Sequence, residues 1–309
     1  MRLVFAGTPE PAVPSLHALV AAPGHDVVGV VTRTDAPLGR KRVLTPSPVA
    51  QAAAERGIPT IKTDRLDAAA TDAIGALQPE LGVIVAYGGL VREPLLSLPP
   101  HGWINLHFSL LPRWRGAAPV QHALIAGDRT TGASVFQLVA ELDAGDVYGE
   151  VAYDVPAGAT AGELLTTLAD MGAGLLVDVV DAIAAGTARA VPQVGDPTYA
   201  GKLTLADGAL DWHQPARRVV DRVHGTTPEP GAHTTVDGQR LKVLGAEVVE
   251  TAEVADLAPG RIGLVGRDVV VGTTDGGVRL VRVQPAGKGA MDAADWWRGA
   301  RLTDAVAGS

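Results

Sequence analysis

The chain has 309 residues, of which 47% are hydrophobic and 19% are charged, and its formal net charge is −8. This length exceeds one typical domain, so we expect two globular domains with substantial cores. The absence of cysteine excludes disulfides, thiolate metal sites and cysteine nucleophiles. The negative net charge argues against nucleic-acid binding by overall charge alone.

The amino-terminal apolar run is too short for a signal peptide. No window approaches the ~18 to 20 uninterrupted apolar residues of a membrane span. We therefore expect a cytoplasmic protein that has no membrane partner. We further expect the protein to be a monomer.

Short apolar runs alternate with helical patterns in the first 200 residues. Runs rich in β-branched residues predict buried strands at 3–6, 27–31, 81–86, 103–106 and 133–139. Ser47 followed by Pro48 predicts the start of a helix that extends to about residue 56. Thr160 and Glu163 form a capping-box pattern that opens a long helix to about residue 185. This alternation predicts an α/β fold, doubly wound around a mostly parallel, Rossmann-like sheet.

The pattern changes after residue 190, where prolines and a glycine mark a linker. One helix is predicted over 215–223. Short alternating runs separated by Asp-Gly turns predict hairpins at 233–236, 240–244, 261–264, 269–273 and 278–283. Hairpins in a region of this size predict a C-terminal OB-like β-barrel of five strands. We assign domains to residues 1–189 and 207–309, with a linker over 190–206.

Two polar residues lie where a buried strand ends, in the run NLHFSLLPRWRG at 105–116. Asn105 and His107 are two apart, so their side chains project to the same side of the sheet. In a parallel sheet that end opens into the ligand-binding crevice. Asp143 follows a later strand in the run ELDAGD, and Gly145 permits a tight loop that could bring a carboxylate toward His107.

These residue types suit acyl transfer between nitrogens. The Asn105 amide can donate a hydrogen bond to an oxyanion without changing charge. His107 titrates near neutrality and can either donate such a bond or move protons. A neighbouring carboxylate raises the pKa of an imidazole and fixes its orientation. The alternative is that a buried His and Asn satisfy loop backbone groups, and the residues alone leave both interpretations open.

The run 105–116 and the later Leu-Asp-Ala-Gly resemble the folate-dependent formyltransferase family in order and spacing. The resemblance implies that Asn105, His107 and Asp143 are the catalytic residues, and that they transfer the formyl group of 10-formyltetrahydrofolate. It leaves Asp146 as a loop residue outside the catalytic set.

Folate-facing residues are implied by the same resemblance. They are Ala86, Tyr87, Gly88, Gly89, Leu90, Ser109, Leu110, Leu111 and Pro112. Small residues in the first of these two segments would let the backbone approach a flat pteridine-like ring. A simple turn is the alternative interpretation of its glycines.

A basic loop follows the second predicted strand. Arg40, Lys41 and Arg42 are consecutive cations on a segment that carries proline and glycine, and such a group suits phosphates; a solvated surface loop is the alternative. The length of the loop and its Thr-Pro-Ser-Pro exit resemble the tRNA-contacting insertion of the family. The runs YAGKLT, LDW and VQPAGKGAM after residue 198 resemble the family's tRNA-binding domain.

The resemblance therefore implies a catalytic domain over 1–189 and a tRNA-binding domain over 207–309. The implied reaction is transfer of the formyl group to the α-amine of methionine carried by initiator tRNA. One alternative is formylation of a nucleotide-linked amino sugar, and another is a non-catalytic RNA-binding protein that retains a relic domain. No histidine has metal-ligand spacing, so we expect no metal.

Two positions depart from the family pattern. The segment 226–231, TTPEPG, lacks the aromatic residue that is frequent there, and position 114 is Trp where Tyr is frequent. The first departure puts the local packing of the second domain in question rather than the chemistry.

Overall fold

The computed structural model describes residues 1–39, 41–249, 254, 257–300, 302 and 304–308. The described chain divides into two compact units. The first consists of Met1–Pro119, Thr130–Tyr153 and Leu165–Ala200, and the second consists of Val120–Arg129, Asp154–Leu164 and Gly201–Ser309.

In chain order, the elements up to residue 200 are β1 (Arg2–Gly7), α1 (Val13–Ala21), β2 (Asp26–Thr32), β3 (Ala36–Leu38), β4 (Val43–Thr45), α2 (Pro48–Glu55), β5 (Thr60–Lys62), α3 (Ala68–Ala76), β6 (Leu81–Val85), β7 (Trp103–His107), β8 (Arg115–Gly116), α4 (Pro119–Ala126), β9 (Thr130–Gln137), β10 (Val147–Asp154), α5 (Ala161–Ala184) and β11 (Tyr199–Ala200). The later elements are α6 (Ala216–Thr226), β12 (His233–Val236), β13 (Gln239–Val249), β14 (Ile262–Val265), β15 (Asp268–Gly272), β16 (Gly277–Pro285), β17 (Met291–Asp292) and α7 (Ala293–Ala300).

The first unit is built on a mixed sheet with the strand order β10-β9-β7-β6-β1-β2-β5. The strands β7, β6, β1, β2 and β5 are neighbours in this order, and each pairs in parallel with the next. On the other side of β7, β9 pairs with it in the antiparallel sense. All of β6 and nearly all of β1 are buried. Continuous burial is typical of parallel strands whose sheet is covered on both faces. The predicted mostly parallel α/β fold is confirmed.

The two predicted helix starts are confirmed by their caps. The Ser47 hydroxyl accepts a hydrogen bond from the third amide of α2 at 3.0 Å, and Pro48 occupies the first turn. Thr160 N donates to Glu163 Oε2 at 2.9 Å, and Glu163 N donates back to Thr160 Oγ1 at 3.4 Å. Each cap satisfies helix-end amides that have no partner within the helix, which stabilises a helix by ~1 kcal/mol.

The second unit carries an antiparallel sheet with the order β12-β13-β16-β15-β14, and β17 pairs with β16. Residues 305–308 connect the two edges of this sheet. Val236 at the end of β12 forms a bridge with Ala307, and Arg261 just before β14 forms one with Val306. The sheet is therefore curled, and the predicted barrel-like second domain is confirmed. β17 is only two residues long, too short to show a periodicity in the sequence.

The segment 226–231 is anchored without the aromatic residue that the family often has there. Thr226 is fully buried and its hydroxyl donates to Arg222 O at 2.7 Å. Ala232, the next residue after the segment, is fully buried in the core of the second unit.

Among the helices that the structure describes, none has the length and hydrophobicity of a membrane-spanning helix.

Candidate active site

The carboxyl end of β7 carries the predicted Asn-x-His pair. β7 lies between β6 and β9, with Asn105 opposite Ile84 on one side and Phe136 on the other. Because alternate residues of a strand face the same side, Asn105 and His107 share one face of the sheet. Asn105 is half-buried, whereas His107 is only 6% exposed.

Two polar groups flank the His107 ring. Its Nε2 atom lies 2.8 Å from Trp114 O. A carbonyl oxygen only accepts, so Nε2 carries the proton and Nδ1 of the neutral ring keeps a lone pair. Nδ1 lies 3.9 Å from Asp143 Oδ2, beyond hydrogen-bond distance. The Phe136 ring packs edge-on against the imidazole, with centroids 6.4 Å apart.

The net direction of the His107 pKa differs from what the sequence led us to expect. Burial lowers the pKa of His107, and this effect exceeds the raising effects of the Asp143 charge and of the bond to the Trp114 carbonyl. The expected effect of the carboxylate is present, but the ring is almost fully desolvated and the carboxylate does not touch it. The folded protein therefore holds a neutral imidazole near pH 7, with Nδ1 able to accept a proton.

Asp143 lies in a strained turn that follows β9. Its side chain is buried and its φ is +47°, a conformation that costs a residue with a side chain roughly 1–3 kcal/mol. Gly116 N donates to Asp143 Oδ2 at 2.7 Å and fixes the carboxylate. Gly145 makes the turn possible, since a Cβ there would lie 1.8 Å from Gln137 O. Asp146, in contrast, is exposed.

We expect Gly145→Ala to lower the free energy of unfolding by roughly 1–3 kcal/mol, because the new methyl group meets a backbone oxygen that cannot rotate away. Gly174→Ala on α5 is the matched control, since open space surrounds it. This control should instead raise stability by about 0.5–1 kcal/mol, the usual gain for replacing a helix-interior glycine. Urea denaturation of the full chain, with the two variants in parallel, measures both; equal effects would contradict the packing explanation.

Sequence reasoning missed the groups that hold the Asp143 turn. Gln193 Nε2 donates to Asp143 O and to Gly145 O, each at 2.8 Å. Arg115 Nε and Nη2 donate to Gln193 Oε1 at 3.1 and 2.7 Å, and Arg115 Nη1 lies 3.4 Å from Glu141 Oε1. Arg115 is buried, and a buried guanidinium requires partners. The sequence offered only a weak signal for this, because Arg113 carries the same charge two residues earlier and is exposed.

The first predicted folate segment directly follows β6. Val85 pairs with Leu106, so residue 86 begins beside the end of β7. Ala86 and Gly88 have φ values of +47° and +75°. Both residues are exposed and have small side chains or none, so their backbone is accessible at the surface. Tyr87 points inward instead: its ring is buried and its hydroxyl donates to Thr63 O at 3.2 Å.

The remaining two residues of this segment differ from each other in exposure. A Cβ on Gly89 would lie 2.5 Å from the Tyr87 ring, so the glycine is required by packing on the tyrosine. Leu90 is 65% exposed.

The second predicted folate segment connects His107 to the Trp114 carbonyl. Ser109 is fully buried and its hydroxyl donates to Arg113 O at 2.6 Å. Leu111 and Pro112 are also buried, whereas Leu110 is half-buried. Within this segment Leu110 therefore offers the largest side-chain surface to a ligand, and the other three side chains stabilise the loop.

Two short paired strands flank the predicted basic loop. β3 and β4 pair antiparallel, with Leu38 opposite Val43. Lys41 and Arg42 lie in the turn and are exposed, and Arg42 has φ +49°. Arg40 lies outside the described residues. Among the residues that the structure describes, no group of three or more His, Asp or Glu side chains is placed to hold a metal ion.

Comparison with protein families accounts for most of the chain. Residues 1–180 match the family described as formyl transferase, and residues 202–301 match the formyl transferase C-terminal domain. In the solved structures the fold is shared with an N-formyltransferase from Helicobacter canadensis, at a TM-score of 0.70 and 14% identity over 92% of this chain and 98% of that one. HypX from Aquifex aeolicus matches at a TM-score of 0.65 and 16% identity over 98% of this chain and 48% of HypX.

Curated relatives are much closer in sequence. A methionyl-tRNA formyltransferase from Clavibacter sepedonicus is 59% identical over 99% of this chain and 100% of its own length. The one from Leifsonia xyli subsp. xyli is 59% identical over 97% of this chain and 98% of its own, and one from Mycobacterium sp. is 51% identical over 99% of each. The amino-sugar alternative is not favoured, because the H. canadensis structure, described with folinic acid and dTDP-3-aminofucose, shares only the fold at 14% identity. The chain belongs to the methionyl-tRNA formyltransferase family.

Proposed function

We propose that this chain transfers the formyl group of 10-formyltetrahydrofolate to the α-amine of methionine on initiator tRNA, as a monomer in the cytoplasm. The observation that carries the proposal is the buried His107 ring, which bonds to the Trp114 carbonyl, lies 3.9 Å from the Asp143 carboxylate and shares one face of β7 with Asn105. The full-length similarity to methionyl-tRNA formyltransferases supports a tRNA that carries methionine as the substrate that accepts the formyl group.

Proton movement is the proposed task of His107. The α-amine has a reference pKa near 8, so a useful fraction is neutral at pH 7. When its nitrogen attacks the formyl carbon, a C–N bond forms and His107 Nδ1 accepts the proton that the nitrogen loses. The bond from the formyl carbon to the folate nitrogen then breaks, and His107 returns the proton to that nitrogen. Asp143 stabilises the imidazolium between the two transfers, since its carboxylate lies 3.9 Å from Nδ1.

Charge stabilisation is the proposed task of Asn105. Negative charge develops on the formyl oxygen as the amine attacks, and an amide N–H on the same face as His107 can donate to it. An amide is suited to this position because it is neutral in every step and requires no proton transfer of its own.

The folate fits best against the exposed backbone after β6. Ala86 and Gly88 expose backbone beside the end of β7, so a flat ring placed there would bring its formyl group to the Asn105–His107 face. Leu90 and Leu110 add apolar surface to this region. Tyr87, Gly89, Ser109, Leu111 and Pro112 would act by shaping the two segments.

The exposed turn of the β3–β4 hairpin is the proposed tRNA contact, through Lys41, Arg42 and the neighbouring Arg40. We expect the double variant Lys41→Ala, Arg42→Ala to weaken tRNA binding on the order of tenfold and to reduce the slope of log K against log salt by about 1 to 2 units. Filter binding over a salt series measures both. The control removes two other exposed cations of the same unit, Arg56 and Arg92; an equal loss in that control would assign the effect to net charge instead.

The function itself is tested by a formylation assay with 10-formyltetrahydrofolate and three amine substrates: Met-charged initiator tRNA, Met-charged elongator tRNA and a nucleotide-linked amino sugar. We expect formylation of the initiator tRNA by a large margin. A faster reaction with the amino sugar would replace this proposal by the alternative, and light scattering of the same sample reports whether the enzyme is a monomer.

A further inference from the structure

The last ten residues of the first unit contact both loops that flank the candidate site. We name residues 191–200 the connector. Its first residue, Val191, forms an antiparallel bridge with Val147 at the start of β10. Its last two residues form β11, which pairs in parallel with β8. A segment that looks like a linker in the sequence is therefore hydrogen-bonded to the first unit at both of its ends.

One connector residue holds the Trp114 carbonyl. Trp114 N donates to Thr198 Oγ1 at 2.9 Å, and Trp114 O accepts from His107 Nε2 at 2.8 Å. Thr198 N also donates to Pro112 O at 3.2 Å, and Thr198 O accepts from Arg115 N at 2.8 Å. Trp114 has φ +61°, which a non-glycine residue adopts only when its surroundings fix it. The hydrogen bonds of Thr198 to residues 112, 114 and 115 contribute to that restraint.

A second connector residue holds the Asp143 turn. Gln193 Nε2 donates to the carbonyls of Asp143 and Gly145, and Gln193 Oε1 accepts two bonds from the buried Arg115 guanidinium. The side-chain amide thus uses both of its donors on the turn and both lone pairs of its oxygen on one arginine. A fully engaged amide of this kind has a fixed orientation, and so does the turn to which it donates.

We propose that the connector is a positioning element of the active site, in which Gln193 sets the place of the Asp143 carboxylate and Thr198 sets the place of the Trp114 carbonyl. The two groups that flank His107 are then fixed by residues five positions apart in the connector. This inference rests on the proposed function, because it concerns the turnover of that same site. Neither residue touches the reacting atoms; both act through the groups that flank the imidazole.

The test is steady-state formylation by the full-length enzyme. Gln193→Leu removes the amide, and Thr198→Val removes the hydroxyl but keeps the shape. We expect each to lower kcat roughly 10- to 100-fold, as a small misplacement of catalytic groups does, and to leave KM for both substrates within about twofold of wild type. The matched controls are Gln51→Leu and Thr60→Val, whose side chains donate to Pro46 O and Ile58 O, away from the site. They should retain wild-type kcat.

A second readout separates positioning from general stability. The Asp143 charge and the Trp114 carbonyl both raise the pKa of His107, so displacement of either group lowers that pKa further. NMR titration of the labelled imidazole should show this fall in both variants and in neither control. Wild-type kcat in both variants, or a loss of kcat with an unchanged His107 pKa, would overturn the inference.

Gln193→Glu keeps the experiment decisive if the leucine variant fails to fold. The carboxylate still accepts from Arg115, but it cannot donate to the two carbonyls of the turn. We expect a folded enzyme with a kcat at least about tenfold below wild type, and a kcat within twofold of wild type would overturn the role of the Gln193 donor. If the wild-type enzyme does not formylate Met-charged initiator tRNA, the proposed function is wrong. This outcome differs from failure of the positioning proposal, in which the wild-type enzyme is active and the variants are equally active.

Discussion

Replacing His107 with glutamine is expected to lower kcat by about 10²- to 10⁴-fold, the usual contribution of a positioned general acid–base group. Glutamine retains a polar side chain of similar reach, but it has no group that takes up and returns a proton near pH 7. Folate binding should persist, because the glutamine amide can donate to Trp114 O in place of the imidazole and the described segment after β6 has no hydrogen bond to the ring. Equilibrium binding of the cosubstrate and single-turnover formylation measure the two effects separately.

His101→Gln provides the control for this experiment. His101 lies two residues before the start of β7 and is exposed, so its replacement makes the same chemical change near the other end of the strand. Its kcat should equal that of the wild type. A His107→Gln enzyme that turns over at the wild-type rate would remove the imidazole from the mechanism and leave only amide and backbone donors.

Asn105→Ala is expected to lower kcat by about 10²- to 10³-fold, as loss of one donor to a developing oxyanion does. Asn105→Asp should be worse, because it keeps the shape and places a negative charge beside the developing one. KM for either substrate should change little if the bond to the formyl oxygen strengthens only in the transition state. A rise in KM with no change in kcat would instead assign Asn105 to substrate binding.

Asn105 is the only asparagine in the chain, which gives this prediction a direct spectroscopic readout. Selective 15N labelling of asparagine yields one side-chain amide group, free of overlap. We expect its signal to shift when a folate that carries a formyl group binds, and to shift less with unformylated tetrahydrofolate. An identical response to both ligands would contradict contact with the formyl oxygen.

The parts of the fold that follow from local patterns were predicted from the sequence. Buried apolar runs that alternate with helical patterns predicted the mostly parallel sheet, and the capping residues Ser47 and Thr160 predicted two helix starts. The approach of Asp143 to His107 was also expected, because Gly145 is the residue that a tight turn requires. These inferences succeeded because short-range chemistry decides them.

The rest depends on contacts between distant parts of the chain. Gln193 lies 50 residues from Asp143, and its hydrogen-bond acceptors on the turn are backbone carbonyls, which carry no residue-specific signal. Neither the amount of burial around His107 nor the 3.9 Å gap to the carboxylate can be read from a motif, so the net direction of its pKa could not be predicted. The hairpin within the basic loop was missed because strands of three residues are too short to show a period.

The pairing of β11 with β8 restricts where this chain can be cut, extended or recombined. A Cβ on Gly116 would lie 2.6 Å from Ala200 O, so a residue with a side chain cannot replace this glycine while β8 and β11 keep their pairing. A chimera joined at residue 180 or 190 would lay a foreign connector against this enzyme's catalytic loops, whereas a junction at Gly201 keeps the first unit whole. Peptide tags and insertions belong in exposed turns such as those at Gly158 or Gly186, where a Cβ added to the glycine would have no neighbouring atom within 4 Å among the described residues.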